Sequence, residues 1–162
     1  MKSPLFEKDW RLKDRPVDYL FNAKLSYVQI YRPYRKLWDH EHCTFCFAGI
    51  GSGSDELHSG YCTTDVDVSR EDWICENCYQ DFEQLFEWTV KTYPELYGCT
   101  LYHEIFYQTE AGKKFTRCVL CLTRISQDED SLKYGYHLHE SDIWICPFCS
   151  NAHKEKYQWS LH

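Results

Sequence analysis

The sequence contains no long apolar run. No window reaches the roughly 20 apolar residues a membrane-spanning helix needs, so no membrane association is expected. The opening stretch, MKSPLFEKDWRLKDRPVDYL, is charged throughout and lacks the apolar centre of a secretory leader. The expected location is therefore a reducing cytoplasm, where disulfides are rare. Positive charge is also in short supply. There are 18 Lys and Arg against 25 Asp and Glu, a formal charge of −7. That balance opposes non-specific binding to a phosphate backbone and suits a protein partner of basic character.

What the chain has, against that background, is cysteine. Eight of its ten Cys fall into four C-x-x-C pairs: Cys43/Cys46, Cys75/Cys78, Cys118/Cys121 and Cys146/Cys149. A two-residue spacer lets both sulfurs of a pair turn toward one ion, and two pairs complete a tetrahedron of thiolates. A redox-active C-x-x-C would normally occur once, beside a βαβ pattern that is absent here. A disulfide scaffold would need an oxidising compartment. The pattern predicts two structural Zn²⁺ per chain. Iron is the other ion that four thiolates accept, and zinc is the expected structural one.

The chain also repeats itself. WICENC at 73–78 returns as WICPFC at 144–149. A shift of 75 residues carries Tyr27 onto Tyr102, Ile30 onto Ile105, and Cys43/Cys46 onto Cys118/Cys121. After a four-residue deletion the shift becomes 71, and Trp73, Cys75 and Cys78 meet Trp144, Cys146 and Cys149. This reads as an N-terminal segment (1–19) followed by two copies of one zinc module, 20–95 and 96–162, each with its own four cysteines.

Each copy opens with an alternating, aromatic-rich stretch, LSYVQIYRP or LYHEIFYQT, which predicts a strand. The first Cys pair, a loop, a hairpin and the Trp-Ile strand follow. After Cys78 the spacing of Phe82, Leu85, Phe86 and Thr89 predicts a helix closed by Pro94, and SNAHKEKYQWSLH predicts a shorter one in copy two. Trp73 and Trp144 are expected to be buried, covering the sulfurs. The fold class is thus α+β. The order knuckle, hairpin, then a Cys pair at a helix start resembles treble-clef zinc fingers in both copies. A zinc ribbon of rubredoxin type, with both pairs on hairpins, is the alternative. The string HCxFC…GY…WICxxC is similar to one in small uncharacterised bacterial proteins, a resemblance that implies no activity.

Several residues invite a functional reading. His42 adjoins Cys43, but its counterpart is Arg117, which cannot ligate zinc. Cys62 aligns with His137; the reading preferred is a buried thiol and a surface imidazole. Cys99 reads as a small core residue. DHEHC raises an HNH-type nuclease, a class built on treble clefs, yet only His58 and Cys62 lie between the first two Cys pairs, where its catalytic His would stand. No catalytic residues are assigned, and the chain is expected not to be an enzyme. The segment YRPYRKLW concentrates Arg32, Arg35 and Lys36 among Tyr34 and Trp38, the composition of a single-stranded nucleic-acid site or a partner surface. The reading carried forward is a zinc-stabilised protein-binding or adaptor protein, one form being an inhibitor or immunity-type protein capping a basic partner. Nucleic-acid binding through 31–38 is the alternative.

Overall fold

The computed structural model describes residues 8–33, 38–63, 71–107 and 112–162. The chain divides into two compact units, Met1–Tyr27 with His40–Lys91, and Val28–Asp39 with Thr92–His162. Both are α+β.

In unit 1 the elements are β1 (Lys24–Val28), β2 (His40–His42), β3 (Gly49–Gly51), β4 (Gly60–Thr63), β5 (Trp73–Ile74), α1 (Glu76–Phe86) and β6 (Thr89–Val90). They form a sheet in the order β5-β4-β1-β6 and a separate β2–β3 hairpin. In unit 2 they are β7 (Thr100–Ile105), β8 (Phe115–Arg117), β9 (Arg124–Ser126), β10 (Tyr134–Leu138), β11 (Ile143–Ile145), α2 (Pro147–Tyr157) and β12 (Ser160–Leu161). Here the sheet runs β11-β10-β7-β12, with a β8–β9 hairpin. The two topologies match element for element, so the internal repeat holds in three dimensions.

The match extends upstream of the first strands. Short 3₁₀ turns occupy Asp18–Leu20 and Pro94–Leu96. Each is tied down by a buried tryptophan: Trp88 Nε1 donates to the Leu20 carbonyl at 2.8 Å, and Trp159 Nε1 to the Leu96 carbonyl at 2.6 Å. A residue at positive φ follows each turn, Asn22 at 58° and Gly98 at 64°. Both residue types tolerate that region. Their amides close onto the Phe86 and Tyr157 carbonyls.

Strand register refines the alignment. Leu25 pairs with Val90, and Leu101 pairs with Leu161. Leu25 therefore corresponds to Leu101, a step of 76 rather than 75. Copy one therefore carries one extra residue between Leu25 and Cys43, and Tyr27 takes the place of His103. Their contacts agree, since Tyr27 packs on Tyr61 and His103 on Tyr136.

Two helix boundaries differ from the sequence-based expectation. Helix α1 stops at Phe86, well before Pro94, because Glu87 turns left-handed (φ 55°) and frees Thr89–Val90 to pair in parallel with β1. Helix α2 is not the shorter one. Both span 11 residues, since Pro147 is well placed in the first turn and Gln158 (φ 56°) ends α2 as Glu87 ends α1.

The cores differ in composition. In unit 1, Phe45 lies 5.2 Å from Phe82, 5.5 Å from Phe86 and 5.8 Å from Trp88, ring centre to ring centre. In unit 2, Leu96, Leu101, Leu138, Ile143, Ile145 and Trp159 surround the cysteines. His153, one repeat on from Phe82, is buried there.

Candidate metal centres

Each cysteine quartet is assembled by three local devices. The first is the turn after the leading pair. The Phe47 amide donates to the Cys43 carbonyl at 2.9 Å, and the Leu122 amide to that of Cys118 at 2.8 Å. Phe47 and Leu122 sit at φ 62° and 64° to make that turn. The second is the tryptophan strand. The Trp73 carbonyl accepts from the Thr44 amide at 2.7 Å, and the Trp144 carbonyl from Val119 at 3.1 Å. The strand thereby holds the knuckle against the helix start. The third is a sulfur helix cap. Cys75 and Cys146 are the N-caps of α1 and α2, and their sulfurs accept from the Cys78 amide at 3.5 Å and the Cys149 amide at 3.4 Å. A helix N-terminus favours the thiolate.

The repeated WICxxC phrase is thus one folding unit. Its Trp backbone grips the knuckle, its Ile is fully buried, and its first Cys caps the helix. Trp73 and Trp144 are 4% and 5% exposed, buried as expected, but Trp144 packs with Phe106 and Ile125 in a cluster apart from the cysteines rather than over the sulfurs.

The result is two clusters, Cys43/Cys46/Cys75/Cys78 and Cys118/Cys121/Cys146/Cys149, each with its sulfurs within 4.8 Å of one another. Sulfurs on a tetrahedral zinc at about 2.3 Å stand about 3.8 Å apart. The Cys46–Cys75 and Cys121–Cys146 separations are both 3.6 Å. The geometry is that of two zinc sites per chain.

The donor chemistry fits as well. Hydrogen bonds from Cys75 and Cys78 hold the Cys43 thiol far below its ordinary pKa. Cys43, as the thiolate that takes those bonds, pushes Cys75 up to about 11 and, with Cys75, raises Cys78 further. In unit 2 hydrogen bonds from Cys118, Cys146 and Cys149 hold Cys121 down, while burial first, then hydrogen bonds with Cys121, Cys146 and Cys149, drives Cys118 up. Four crowded thiols cannot all ionise alone; a divalent cation lets them. Four thiolates close the coordination sphere and leave no position for a substrate, which makes the clusters structural in character.

The surroundings of the sulfurs differ. In unit 1 Arg11 Nη1 donates to Cys78 Sγ at 3.5 Å and to Asp81 at 2.7 Å, and its Nη2 pairs with Asp9 at 2.8 Å. The same guanidinium lies 4.3 Å over the Phe82 ring. In unit 2 the Thr123 hydroxyl lies 3.2 Å from Cys121 Sγ and donates to it once the sulfur is ionised. Cys46 is half-buried, whereas all four clustered cysteines of unit 2 are buried.

The other residues singled out from sequence fall elsewhere. His42 is outside the cluster; its Nε2 lies 3.1 Å from His40 Nε2 and its Nδ1 3.2 Å from the Phe47 carbonyl. His58 Nδ1 lies 2.9 Å from the Gly51 carbonyl. Cys62 is fully buried, as expected. Cys99 is half-buried against the unit 2 core. His137 is not a surface imidazole. Its side chain is 16% exposed and its ring stacks on Trp144, centroids 4.4 Å apart.

Tyr34, Arg35 and Lys36 lie outside the described residues. Of their neighbours, Arg32 places its guanidinium 4.2 Å over the Phe148 ring, and Trp38 is exposed. Arg11 was missed from sequence because nothing in copy two mirrors it. No helix of the described residues is long and apolar enough to cross a membrane. No protein-family model, curated protein or solved structure matches the chain.

Proposed function

We propose that this chain is a zinc-stabilised binding protein of the adaptor kind, built from two tandem treble-clef-like modules, which docks a basic protein partner. The Cys pair at a helix start in both units supports the treble-clef reading over the ribbon. The eight clustered cysteines are its metal ligands. Closed thiolate sites supply stability rather than turnover, so function falls to the surface.

The observation that carries the docking reading is an apolar pair on the unit 2 sheet. Tyr134 and Ile105 stand directly opposite each other across β10 and β7. Both are exposed, at 41% and 50%, and Tyr107 beside them at 67%. An opposed, solvent-facing pair of large side chains gains from burial at about 25 cal/mol per Å² once a partner covers it. The −7 formal charge selects a basic partner and speeds its encounter. An inhibitor or immunity-type protein that caps a basic toxin or nuclease is the concrete form of this reading.

The test is affinity capture with the zinc-loaded chain, wild type beside Tyr134→Ser/Ile105→Ser. The expected result is a basic protein retained by the wild type, released as salt rises, and lost with the double variant. Capture that survives the double variant, or no captured basic protein, overturns the assignment.

A further inference from the structure

Among the described residues one other set of donor atoms converges: Glu104, His137 and His139 of unit 2, again within 4.8 Å of one another. Their placement follows from strand register. Glu104 on β7 stands opposite Gly135, which offers no side chain, so the carboxylate reaches diagonally toward His137 on β10. His139 follows two residues later and returns to the same side. His137 Nδ1 lies 3.0 Å from Glu104 Oε2, and His139 Nε2 meets the other oxygen, Oε1.

Both rings are braced. His137 stacks on Trp144 with 14° between planes, and His139 on Tyr102 with 23° between planes. The remaining nitrogen of His137 is the telling atom. Nε2 is buried and makes no hydrogen bond among the described residues. Asp142 Oδ1 lies 3.4 Å from it, and Lys113 holds the other Asp142 oxygen at 2.9 Å.

A neutral His137 that donates from Nδ1 to Glu104 turns a bare Nε2 lone pair toward that carboxylate. A buried polar atom left this way costs about 1–3 kcal/mol. A cation on Nδ1 reverses the tautomer. Nε2 then carries the proton and directs it at Asp142, the carboxylate–histidine–metal arrangement that orients ligating imidazoles. Two imidazoles and one carboxylate form the donor set of three-ligand zinc sites with an open position, and suit other first-row divalent ions.

We propose that Glu104, His137 and His139 form a third metal site, which binds a divalent transition ion exchangeably and leaves at least one coordination position open to water or an anionic ligand. His139 is 53% and Glu104 35% exposed, so the ion has a path from solvent. Among the described residues unit 1 has no equivalent. The place of His137 is taken there by Cys62, whose sulfur points to the Thr63 carbonyl at 3.4 Å, and the residue two further on is Thr64. The duplicated scaffold has acquired this group in one copy only.

The experiment uses the full chain loaded with zinc and titrated with Co²⁺. The expected result is one further Co²⁺ per chain with visible d–d absorption and no thiolate-to-cobalt charge transfer, displaced by added Zn²⁺ and stripped by a mild chelator that leaves the other two zincs in place. Glu104→Gln and His139→Ala each weaken it by roughly 100-fold, the upper end of the loss on removing even a partner of a ligand. His139 is exposed enough that its removal leaves the fold intact, which the tryptophan near-UV spectrum verifies. No third ion at excess Co²⁺, or equal binding by the variants, overturns the site. Charge-transfer bands would instead report Co²⁺ entering the cysteine clusters, so a failure of those sites is read separately.

Discussion

Unit 1 and unit 2 share every element that places a sulfur and differ in several of the side chains around it. The shared parts are the knuckle turn, the Trp carbonyl that grips it, and the Cys that caps the helix. The differences are Arg11 against Thr123 beside the sulfurs, Phe82 against His153 on the helix, and Cys62 against His137 on the central strand. Coordination geometry tolerates little variation, because a thiolate displaced by a fraction of an ångström loses its bond. The surroundings need only exclude water and balance charge, and several side chains do either. Duplication therefore leaves a fixed scaffold with freely varied neighbours.

The largest effect comes from breaking a cluster. Structural zinc contributes about 10–16 kcal/mol in isolated finger peptides, more than a unit this small gains from its core. Cys75→Ser is expected to halve the zinc content measured by elemental mass spectrometry. It should unfold unit 1, with loss of the near-UV signal of Trp73 and Trp88, while unit 2 keeps its metal. Loss of both ions would show ligands shared across the units. Acid acts in the same direction on both, since thiolates must be deprotonated to bind; zinc leaves as pH falls.

Next in size is Arg11. The zinc–thiolate centre carries two negative charges, and in unit 1 the guanidinium offsets them through Cys78. Arg11→Ala is expected to weaken the unit 1 site about 10-fold in chelator competition, with unit 2 unchanged. Arg11→Lys should recover only part, because an ammonium cannot serve Cys78, Asp9, Asp81 and the Phe82 face together. Cys46, half-buried, should be the first ligand alkylated as metal is withdrawn. Equal loss at both sites would sink the contrast.

A smaller, pH-dependent effect separates Phe82 from His153. Burial lowers the pKa of His153, and the Lys156 charge lowers it further. The unfolded chain therefore takes up a proton on this residue before the folded one does. Its stability contribution is complete above the ordinary His pKa, about 6.5, and is lost as pH falls below it toward the lowered folded value. His153→Phe, which copies unit 1, should flatten the mildly acidic decline of unit 2 melting temperature at saturating zinc. An unchanged pH slope would show that the ring is not buried neutral.

The metal clusters and the repeat were legible in the sequence because spacing encodes them. C-x-x-C fixes which sulfurs face one ion, and WIC twice fixes the period. The burial of Trp73 and Trp144 followed from the same logic. Three features were hidden for a common reason, that they depend on which distant residues meet. Arg11 reaches Cys78 across 67 positions and has no echo in copy two. Leu12, Val17 and Leu20 are buried in unit 1, though the opening stretch reads as charged throughout. Glu104 and His139 join His137 only through strand register; the spacing His137-x-His139 was the one local hint of a shared face. The left-handed turn at Glu87 was equally silent, since no glycine marks it.

The smallest effect tests the knuckle turn itself. Phe47 and Leu122 both hold positive φ, a conformation that costs a residue with a Cβ about 1–2 kcal/mol. Leu122 is repaid by burial at 5% exposure. Phe47 is 60% exposed, and its compensation is Arg15, whose guanidinium lies 4.2 Å over the ring while Nη1 donates to the Thr44 carbonyl at 2.6 Å. A cation–π contact at such a site contributes about 0.5–1 kcal/mol. Phe47→Gly removes the backbone strain and that contact together, while the freer unfolded chain costs part of the gain. The net is expected within about 0.5 kcal/mol of wild type in denaturant unfolding at saturating zinc. Leu122→Gly gains the same relief of strain but loses buried apolar surface that outweighs it, and should be clearly destabilising. If the two glycine variants fall together, the turn rather than its neighbours governs both sites, and the contrast between the units ends at the knuckle.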